Sequence, residues 1–105
     1  MDNKINVYEN IDETFISKKL FEGNVIGRFA GRSEFGQRSL GNRSIIASTT
    51  ENNIVDKINS KIKYRDFWMP FCPTILDKHK NEYIHNPKNL KAEYMTLSFN
   101  LNEKY

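Results

Sequence analysis

The apolar residues of this chain follow two different periods, and this change limits the folds that it can adopt. Residues 52–63 place aliphatic side chains at helical spacing on one stripe, which predicts an amphipathic helix. Residues 94–101 alternate polar and apolar side chains, which predicts a strand with one buried face. Because the chain contains both patterns, all-α and all-β folds are excluded, and we predict the α/β (α+β) class.

Capping and breaking residues predict the other elements. Asp12 is a suitable N-cap and Gly23 a suitable stop for a first helix. Pro70 and Pro73 interrupt regular structure after the second helix, which must end near residues 63–65. The remaining predicted segments are a lead-in over residues 1–9, strands over residues 24–30, 44–48 and 72–76, one or two helical turns over residues 77–83, and a polar loop over residues 85–93.

Length and composition place the chain among small folded domains. Its 105 residues allow one hydrophobic core, and an apolar fraction of 38% excludes a disordered chain. No apolar run approaches the roughly 18–20 residues of a membrane span, and no signal region is found, so a cytoplasmic location without a membrane partner is expected. Cys72, the single cysteine, cannot form an internal disulfide and is expected to be a small buried side chain. The core must therefore suffice by itself or be completed by a partner.

Positive charge is concentrated in one part of the sequence. The net charge is +3, but residues 28–65 contain eight basic and three acidic residues, so this window carries +5 and the remainder −2. All five arginines lie inside the window. Because the guanidinium group presents a planar fork of donors that matches carboxylates and phosphates, this segregation indicates recognition of an oxyanion, with a solvated basic face as the alternative.

The segment over residues 31–44, GRSEFGQRSLGNRS, combines glycines with hydrogen-bond donors. Its three glycines recur every five residues and allow the backbone to adopt positive φ and to approach a ligand closely. The arginine, amide and hydroxyl side chains between them suit a bound oxyanion, although the pattern is neither a P-loop nor a dinucleotide fingerprint. In the alternative interpretation, the glycines form turns and the arginines brace carboxylates such as Glu34.

Two ordered motifs resemble those of a known enzyme family. Residues 31–45, GRSEFGQRSLGNRSI, are similar to the pattern GRxEfGPRALGnRSI of the O-carbamoyltransferases of the nodulation and antibiotic-tailoring type. Downstream, DKIN at residues 56–59 and KYRDFWMPFCP at residues 63–73 resemble the family elements D-[KR]-[IL]-N and K-x-R-x-x-F-x-P-F-x-P. Gln37 and Ser39 replace the usual proline and alanine, which removes no charged group.

The resemblance implies a YrdC-like domain, a twisted mixed sheet with flanking helices and a basic concave surface. It also implies that residues 1–105 are the N-terminal part of the C-terminal domain of a carbamoyltransferase, an incomplete domain that is inactive alone. In such enzymes this domain uses carbamoyl phosphate and ATP with Mg²⁺ to form carbamoyl adenylate. An N-terminal Kae-type domain with an iron-type metal then transfers the carbamoyl group to a hydroxyl acceptor. The enzyme class implied is therefore a biosynthetic transferase.

The same resemblance implies the site residues. Lys63 and Arg65 are expected to act in catalysis as anion ligands. Substrate and nucleotide binding is expected of Arg32, Arg38, Asn42, Arg43 and Ser44. No metal ligand is expected in this chain, because His79 and His85 have no Cys or carboxylate at ligand spacing and are interpreted as surface residues.

Two other function classes stay open at this point. The +5 window and the YrdC-like resemblance permit an RNA-binding module, although the basic residues lie in glycine loops rather than along an exposed stripe. A structural module that docks on the Kae-type partner is the other, and a homodimer formed through residues 94–101 would support it. Phe67 and Trp68 are predicted as core residues, with stacking on adenine as the alternative.

Overall fold

The computed structural model describes residues 5–104, which combine short helices with short strands. The predicted α+β class is confirmed, while residues 1–4 of the predicted lead-in lie outside the described residues. In chain order the elements are α1 (Glu13–Phe21), β1 (Ile26–Phe29), β2 (Arg43–Ile46), α2 (Ile54–Ile58), a π-helical turn (Asn59–Lys63), a 3-10 turn (Asp77–His79), α3 (Lys80–Tyr83), β3 (Ile84–His85) and β4 (Asn100–Leu101).

Helix α1 begins and ends where the sequence predicts. The Asp12 side chain accepts a hydrogen bond of 2.8 Å from the Phe15 backbone N–H, which satisfies one of the free N–H groups of the first turn. The helix ends at Phe21, and Gly23 follows with φ of 76°, a left-handed conformation that stops a helix. Both the predicted N-cap and the predicted stop are therefore confirmed.

Strands β1 and β2 form an antiparallel hairpin, and the glycine-rich segment is its loop. The register pairs Arg28 with Ser44 and Phe29 with Arg43. Side chains that lie directly opposite one another in such a pair are close enough to interact. The strands predicted over residues 24–30 and 44–48 are confirmed at these places, with shorter bounds.

Helix α2 continues directly into the π-helical turn, and together they cover the predicted amphipathic helix. Ile58, from the apolar stripe, is buried with 5% of its surface exposed, and Asn59 beside it is 1% exposed. Tyr64 adopts φ of 48°, and its backbone N–H donates to the Asn59 carbonyl, so the helix cannot continue. The predicted helix and its end near Lys63 are confirmed.

The strand predicted over residues 72–76 is wrong. This segment is irregular, and both Cys72 and Leu76 are exposed, so the prediction of a buried cysteine is also wrong. Pro73 explains the difference, because proline has no N–H to donate to a ladder.

The strand predicted over residues 94–101 is wrong except at its end. Only Asn100–Leu101 pair, with Ile84–His85 as partners. Met95 has φ of 55°, which interrupts an extended run, and Leu97 is exposed. Alternation alone therefore does not create a strand here, because within residues 5–104 most of the apolar face stays exposed and only Phe99 is half-buried.

The strands of the described residues belong to two separate sheets. Each sheet is one antiparallel pair, β1 with β2 and β3 with β4. Within residues 5–104 the strands do not join into the single mixed sheet that the resemblance implies. Two-stranded ribbons bury little apolar surface, so they need packing from elsewhere to be stable.

The chain has little core of its own. It exposes 9867 Å², whereas a folded monomer of this mass exposes about 6,100 Å². Phe67 and Trp68, predicted as core residues, are 78% and 64% exposed, so that prediction is wrong. None of the helices within residues 5–104 has the length and apolar character that a membrane crossing requires.

Candidate anion-binding site

The loop between β1 and β2, residues 30–42, contains the glycine-rich motif, and we call it the glycine loop. Gly36 and Gly41 both have φ of 119°, a conformation that residues with a side chain rarely adopt. The positive φ predicted from the motif is therefore confirmed. These turns return the second half of the loop to Glu34, which lies in its first half.

The carboxylate of Glu34 holds the two halves of the glycine loop together. Its Oε1 accepts hydrogen bonds from the backbone N–H groups of Leu40, Asn42 and Arg43 at 2.8, 2.6 and 3.1 Å. Several N–H groups aimed at one point form the kind of donor cluster that binds anions. The anion in this cluster is a side chain of the loop itself. No arginine in residues 5–104 pairs with Glu34, so the alternative in which arginines brace it does not describe this loop.

Hydrogen bonds to the ionised form lower the pKa of Glu34 to about 2. The largest cause is its own backbone N–H, and the N–H groups of Leu40, Arg43 and Asn42 add to it. Partial desolvation acts in the opposite direction and is outweighed. Glu34 is therefore a carboxylate, and an acceptor only, throughout the physiological pH range.

We expect acid to release this carboxylate only at very low pH. Because its pKa in the folded chain lies below the ordinary value of 4.5, the contact stabilises the fold fully above pH 4.5, and this stabilisation is lost as the pH falls through about 2. The backbone amide signals of Leu40, Asn42 and Arg43 should therefore shift together in NMR spectra with a midpoint near pH 2. A midpoint near 4.5 for these three signals would contradict the observed contacts.

Arg43, the first residue of β2, ties together the two ends of the glycine loop. Its Nη1 donates to the carbonyls of Ala30 at 2.7 Å and Asn42 at 3.1 Å, and its Nη2 donates to the Gly31 carbonyl at 2.7 Å. Its Cζ also lies 3.4 Å from the centre of the Phe29 ring. The hairpin register places Phe29 directly opposite Arg43. Most of its donors are therefore used by the loop's own backbone.

Amide and hydroxyl side chains fasten the last part of the loop. Ser44 Oγ accepts a hydrogen bond of 2.9 Å from the Gly41 N–H and lies 2.6 Å from Ser39 Oγ. Asn42 Nδ2 donates to the Arg32 carbonyl at 2.9 Å. Asn42 and Ser44, both predicted as ligands, thus contribute to the shape of the loop.

The side chains of Arg32 and Arg38 are exposed on the glycine loop. Within residues 5–104, neither guanidinium has a hydrogen bond, ion pair or ring contact. Arg28, by contrast, donates from Nη1 to the Gly41 carbonyl at 2.8 Å. Some arginines of the hairpin therefore hold its backbone, while the donors of Arg32 and Arg38 stay available to a ligand.

Lys63 and Arg65 lie on a second segment, at the end of the π-helical turn. Arg65 donates from Nε to Asn59 Oδ1 at 2.5 Å and from Nη2 to the Pro70 carbonyl at 3.2 Å. Its Cζ lies 4.2 Å from the centre of the Phe71 ring. Lys63 is exposed, and its side chain has no such contact among the residues that the structure describes. Of this pair, Lys63 has the freer cation.

Asn59 anchors the irregular segment that follows Arg65. Its buried Nδ2 donates to the carbonyls of Phe67 at 3.2 Å and Met69 at 3.1 Å, while its Oδ1 accepts from Arg65. One side-chain amide therefore uses both of its donors and its acceptor to join the helix to the segment that carries Arg65.

The seven predicted site residues lie in two groups. Five are on the glycine loop or at the start of β2, and Lys63 and Arg65 follow α2. Among residues 5–104, no hydrogen bond, ion pair or ring contact joins the two groups. This part of the chain also contains no group of three His, Cys, Asp or Glu side chains that could hold a metal ion. The Nδ1 atom of His79 lies 3.1 Å from Oε2 of Glu82.

Sequence reasoning missed how three residues shape the site. Asn59 could have been suspected, because it is a polar residue of the DKIN motif beside the apolar stripe. The motif predicts Glu34 as a partner for arginine rather than as a catalytic base, and its contacts with backbone N–H groups depend on how the loop folds back. Nothing local distinguishes Arg28, which holds the Gly41 carbonyl, from its free neighbours.

Comparisons with known proteins place these residues in a family. Residues 17–105 match the family described as Carbamoyltransferase C-terminus. The chain is 35% identical to an uncharacterized protein of Methanocaldococcus jannaschii, over 93% of this chain and 16% of the relative. It is 41% identical to the nodulation protein NolNO of Sinorhizobium fredii, over 74% of this chain and 11% of the relative. It is 35% identical to the 3′-hydroxymethylcephem-O-carbamoyltransferase of Streptomyces clavuligerus, over 71% of this chain and 14% of the relative.

These matches cover most of this chain but little of each relative. The chain spans 16% or less of the length of the three relatives named. The matched family region includes both the glycine loop and the segment anchored by Asn59. Because the family matches far more than half of its residues, the chain belongs to the carbamoyltransferase C-terminus family.

Proposed function

We propose that this chain binds the phosphate groups of carbamoyl phosphate and of ATP with Mg²⁺ on behalf of an O-carbamoyltransferase. The bound substrates form carbamoyl adenylate, and the carbamoyl group then passes to a hydroxyl acceptor. One observation carries the proposal. The backbone of the glycine loop is held by Glu34 and Arg43, whereas Arg32 and Arg38 have free guanidinium groups. Membership of the carbamoyltransferase C-terminus family supports it.

The electrostatics of the loop suit polyanionic substrates. Carbamoyl phosphate and ATP present several charged oxygens, and arginine donates to such oxygens through two parallel N–H bonds. Donors that are already in place before the reaction cost no reorganisation when negative charge develops. The backbone of the loop meets this requirement, because its carbonyls and N–H groups are tied by short contacts to Glu34 and Arg43, while the side chains of Arg32 and Arg38 become ordered only when a ligand binds.

The proposed reaction has three steps. Water hydrolyses carbamoyl phosphate, which gives carbamate and inorganic phosphate. A carbamate oxygen attacks the α-phosphorus of ATP, the bond to the bridging oxygen of the β-phosphate breaks, and carbamoyl adenylate and pyrophosphate form. The acceptor hydroxyl then attacks the carbamoyl carbon and loses its proton as AMP leaves. Arg32, Arg38 and Lys63 would stabilise the charge on the phosphate oxygens by donation, without forming a covalent intermediate.

A second domain of the enzyme completes the proposed reaction. A Kae-type domain on the N-terminal side would supply the metal-dependent transfer step and cover apolar surface of this chain. The large exposed area and the small share of each relative that the chain spans support this arrangement. The chain alone is therefore expected to bind substrates without turning them over.

Calorimetric titration of the folded 105-residue chain tests the proposed function. We expect saturable binding of Mg²⁺-ATP that weakens with added salt, because exposed charges are screened, and that inorganic pyrophosphate competes away. A control titration uses tRNA in place of ATP. Failure of the folded chain to bind Mg²⁺-ATP would overturn the proposal, and tRNA binding that ATP does not compete with would favour the RNA-binding alternative.

A further inference from the structure

We infer that Glu34 is a positioning residue of the anion site: its carboxylate fills the backbone donor cluster of the glycine loop and thereby holds Arg38 in place for a phosphate group. This inference rests on the proposed function. It adds a residue that does not touch substrate and that carries the same charge as the substrate.

The contacts of Glu34 close the part of the loop that contains Arg38. Glu34 lies before this residue in the chain, and the three N–H donors on Leu40, Asn42 and Arg43 lie after it. The shortest closure, from Glu34 to Leu40, leaves only residues 35–39 between its ends. Closing so short a segment removes most of the conformations that its backbone could otherwise adopt. The position of Arg38 therefore depends on Glu34.

The negative charge of Glu34 by itself would weaken phosphate binding, so any favourable effect of this residue must come from the shape that it gives to the backbone. A carboxylate beside a phosphate site repels the phosphate, so by charge alone its removal would strengthen binding. The three backbone donors offset this charge locally and keep the carboxylate ionised. The Glu34 carboxylate thus shapes the backbone of a basic loop. The same hydrogen bonds reduce its repulsion of a bound phosphate.

The surroundings of Arg38 fit this role. Arg38 has no contact of its own within residues 5–104 that would fix its side chain, whereas Arg43 is held by three carbonyls and a ring. A ligand that engages Arg38 must therefore order a long side chain, and a fixed backbone lowers that cost. Without Glu34 the ligand would have to order the backbone as well.

The test compares Glu34→Ala with Glu93→Ala, which removes the same charge from an exposed residue without contacts in the described part of the chain. Calorimetry measures the affinity for Mg²⁺-ATP, and NMR follows the amide signals of Leu40, Asn42 and Arg43. We expect Glu34→Ala to weaken binding about tenfold, the scale of ordering one or two further groups on binding. Added formate should occupy the vacated donor cluster, return the three amide signals toward their original positions and restore affinity. Glu93→Ala should bind as the unsubstituted chain does.

A Glu34→Ala variant that does not lose affinity for ATP would overturn the inference. Equal or tighter ATP binding by Glu34→Ala would show that only its charge matters, and a lack of formate rescue in a folded variant would show that the donor cluster does not form. If Glu34→Ala does not fold, Glu34→Gln, which keeps a neutral acceptor oxygen, should show an intermediate loss of affinity, and unchanged affinity would overturn the inference. Failure of the unsubstituted chain to bind ATP would instead refute the proposed function, while the amide and formate readouts would still test the role of Glu34 in the loop.

Discussion

Replacing Asn59 with leucine should remove about 2–4 kcal/mol from the free energy of unfolding, a large part of the stability of a small domain. The side chain is 1% exposed, and leucine has a similar size but no polar atoms. The substitution leaves the carbonyls of Phe67 and Met69 without their donor and Arg65 without its acceptor. Urea unfolding followed by circular dichroism measures the change.

Two further variants define which contacts of Asn59 matter. Asn59→Asp keeps an acceptor for Arg65 but directs oxygen atoms at the carbonyls of Phe67 and Met69, so it should also destabilise the chain. The matched control is Asn52→Leu, at an exposed residue without contacts in the described part of the chain, and it should change the stability by less than about 0.5 kcal/mol. Equal stability of the Asn59→Leu and Asn52→Leu variants would contradict the anchoring role.

Removing the free cation of Arg38 or that of Lys63 should weaken the binding of Mg²⁺-ATP strongly. We expect Arg38→Ala and Lys63→Ala each to lower the affinity about 10- to 100-fold, because a hydrogen bond to a charged group contributes about 1.5–3 kcal/mol and each 1.4 kcal/mol is a factor of ten. In the complete enzyme, the same changes should abolish formation of carbamoyl adenylate. Calorimetry with the chain and pyrophosphate release by the enzyme measure the two effects.

Arg43→Ala provides a contrast with these variants. Its guanidinium holds the carbonyls of Ala30, Gly31 and Asn42, so its loss should lower the melting temperature as well as the affinity. Arg38→Ala and Lys63→Ala should leave the melting temperature unchanged, because neither side chain has a contact within residues 5–104. Lys91→Ala, at an exposed lysine of the polar loop, controls for the loss of one positive charge. Unchanged affinity in both Arg38→Ala and Lys63→Ala would refute their assignment as anion ligands.

Local signals predicted the elements that depend on local contacts. The Asp12 cap and the Gly23 stop fixed α1, and the left-handed residue after Lys63 appears where the aliphatic stripe ends. The strand predicted over residues 94–101 failed for the opposite reason. A strand is stable only when a partner pairs with it, and within residues 5–104 the partner, Ile84–His85, is two residues long.

The residue types of the candidate site could be predicted from the sequence. Which side chains hold the backbone and which stay free for a ligand could not. The motif at residues 31–45 identified the arginines, the amide and the hydroxyl as a group. Arg28 and Arg43 turn to backbone carbonyls because the hairpin register places them beside the ends of the loop. That register depends on the pairing of residues more than ten positions apart, which no local pattern of charge reveals.

By itself, the sequence determined the α+β class, the family and the composition of the glycine-rich motif, since periodicity and motif spacing are properties of the chain alone. Only the tertiary structure decided that Glu34 and Arg43 serve the backbone while Arg32, Arg38 and Lys63 stay free. The physical reason is that a carbonyl or N–H group that the folded loop turns away from water needs a partner, and a nearby suitable side chain supplies it. The side chains left over are then the ones available to bind a ligand.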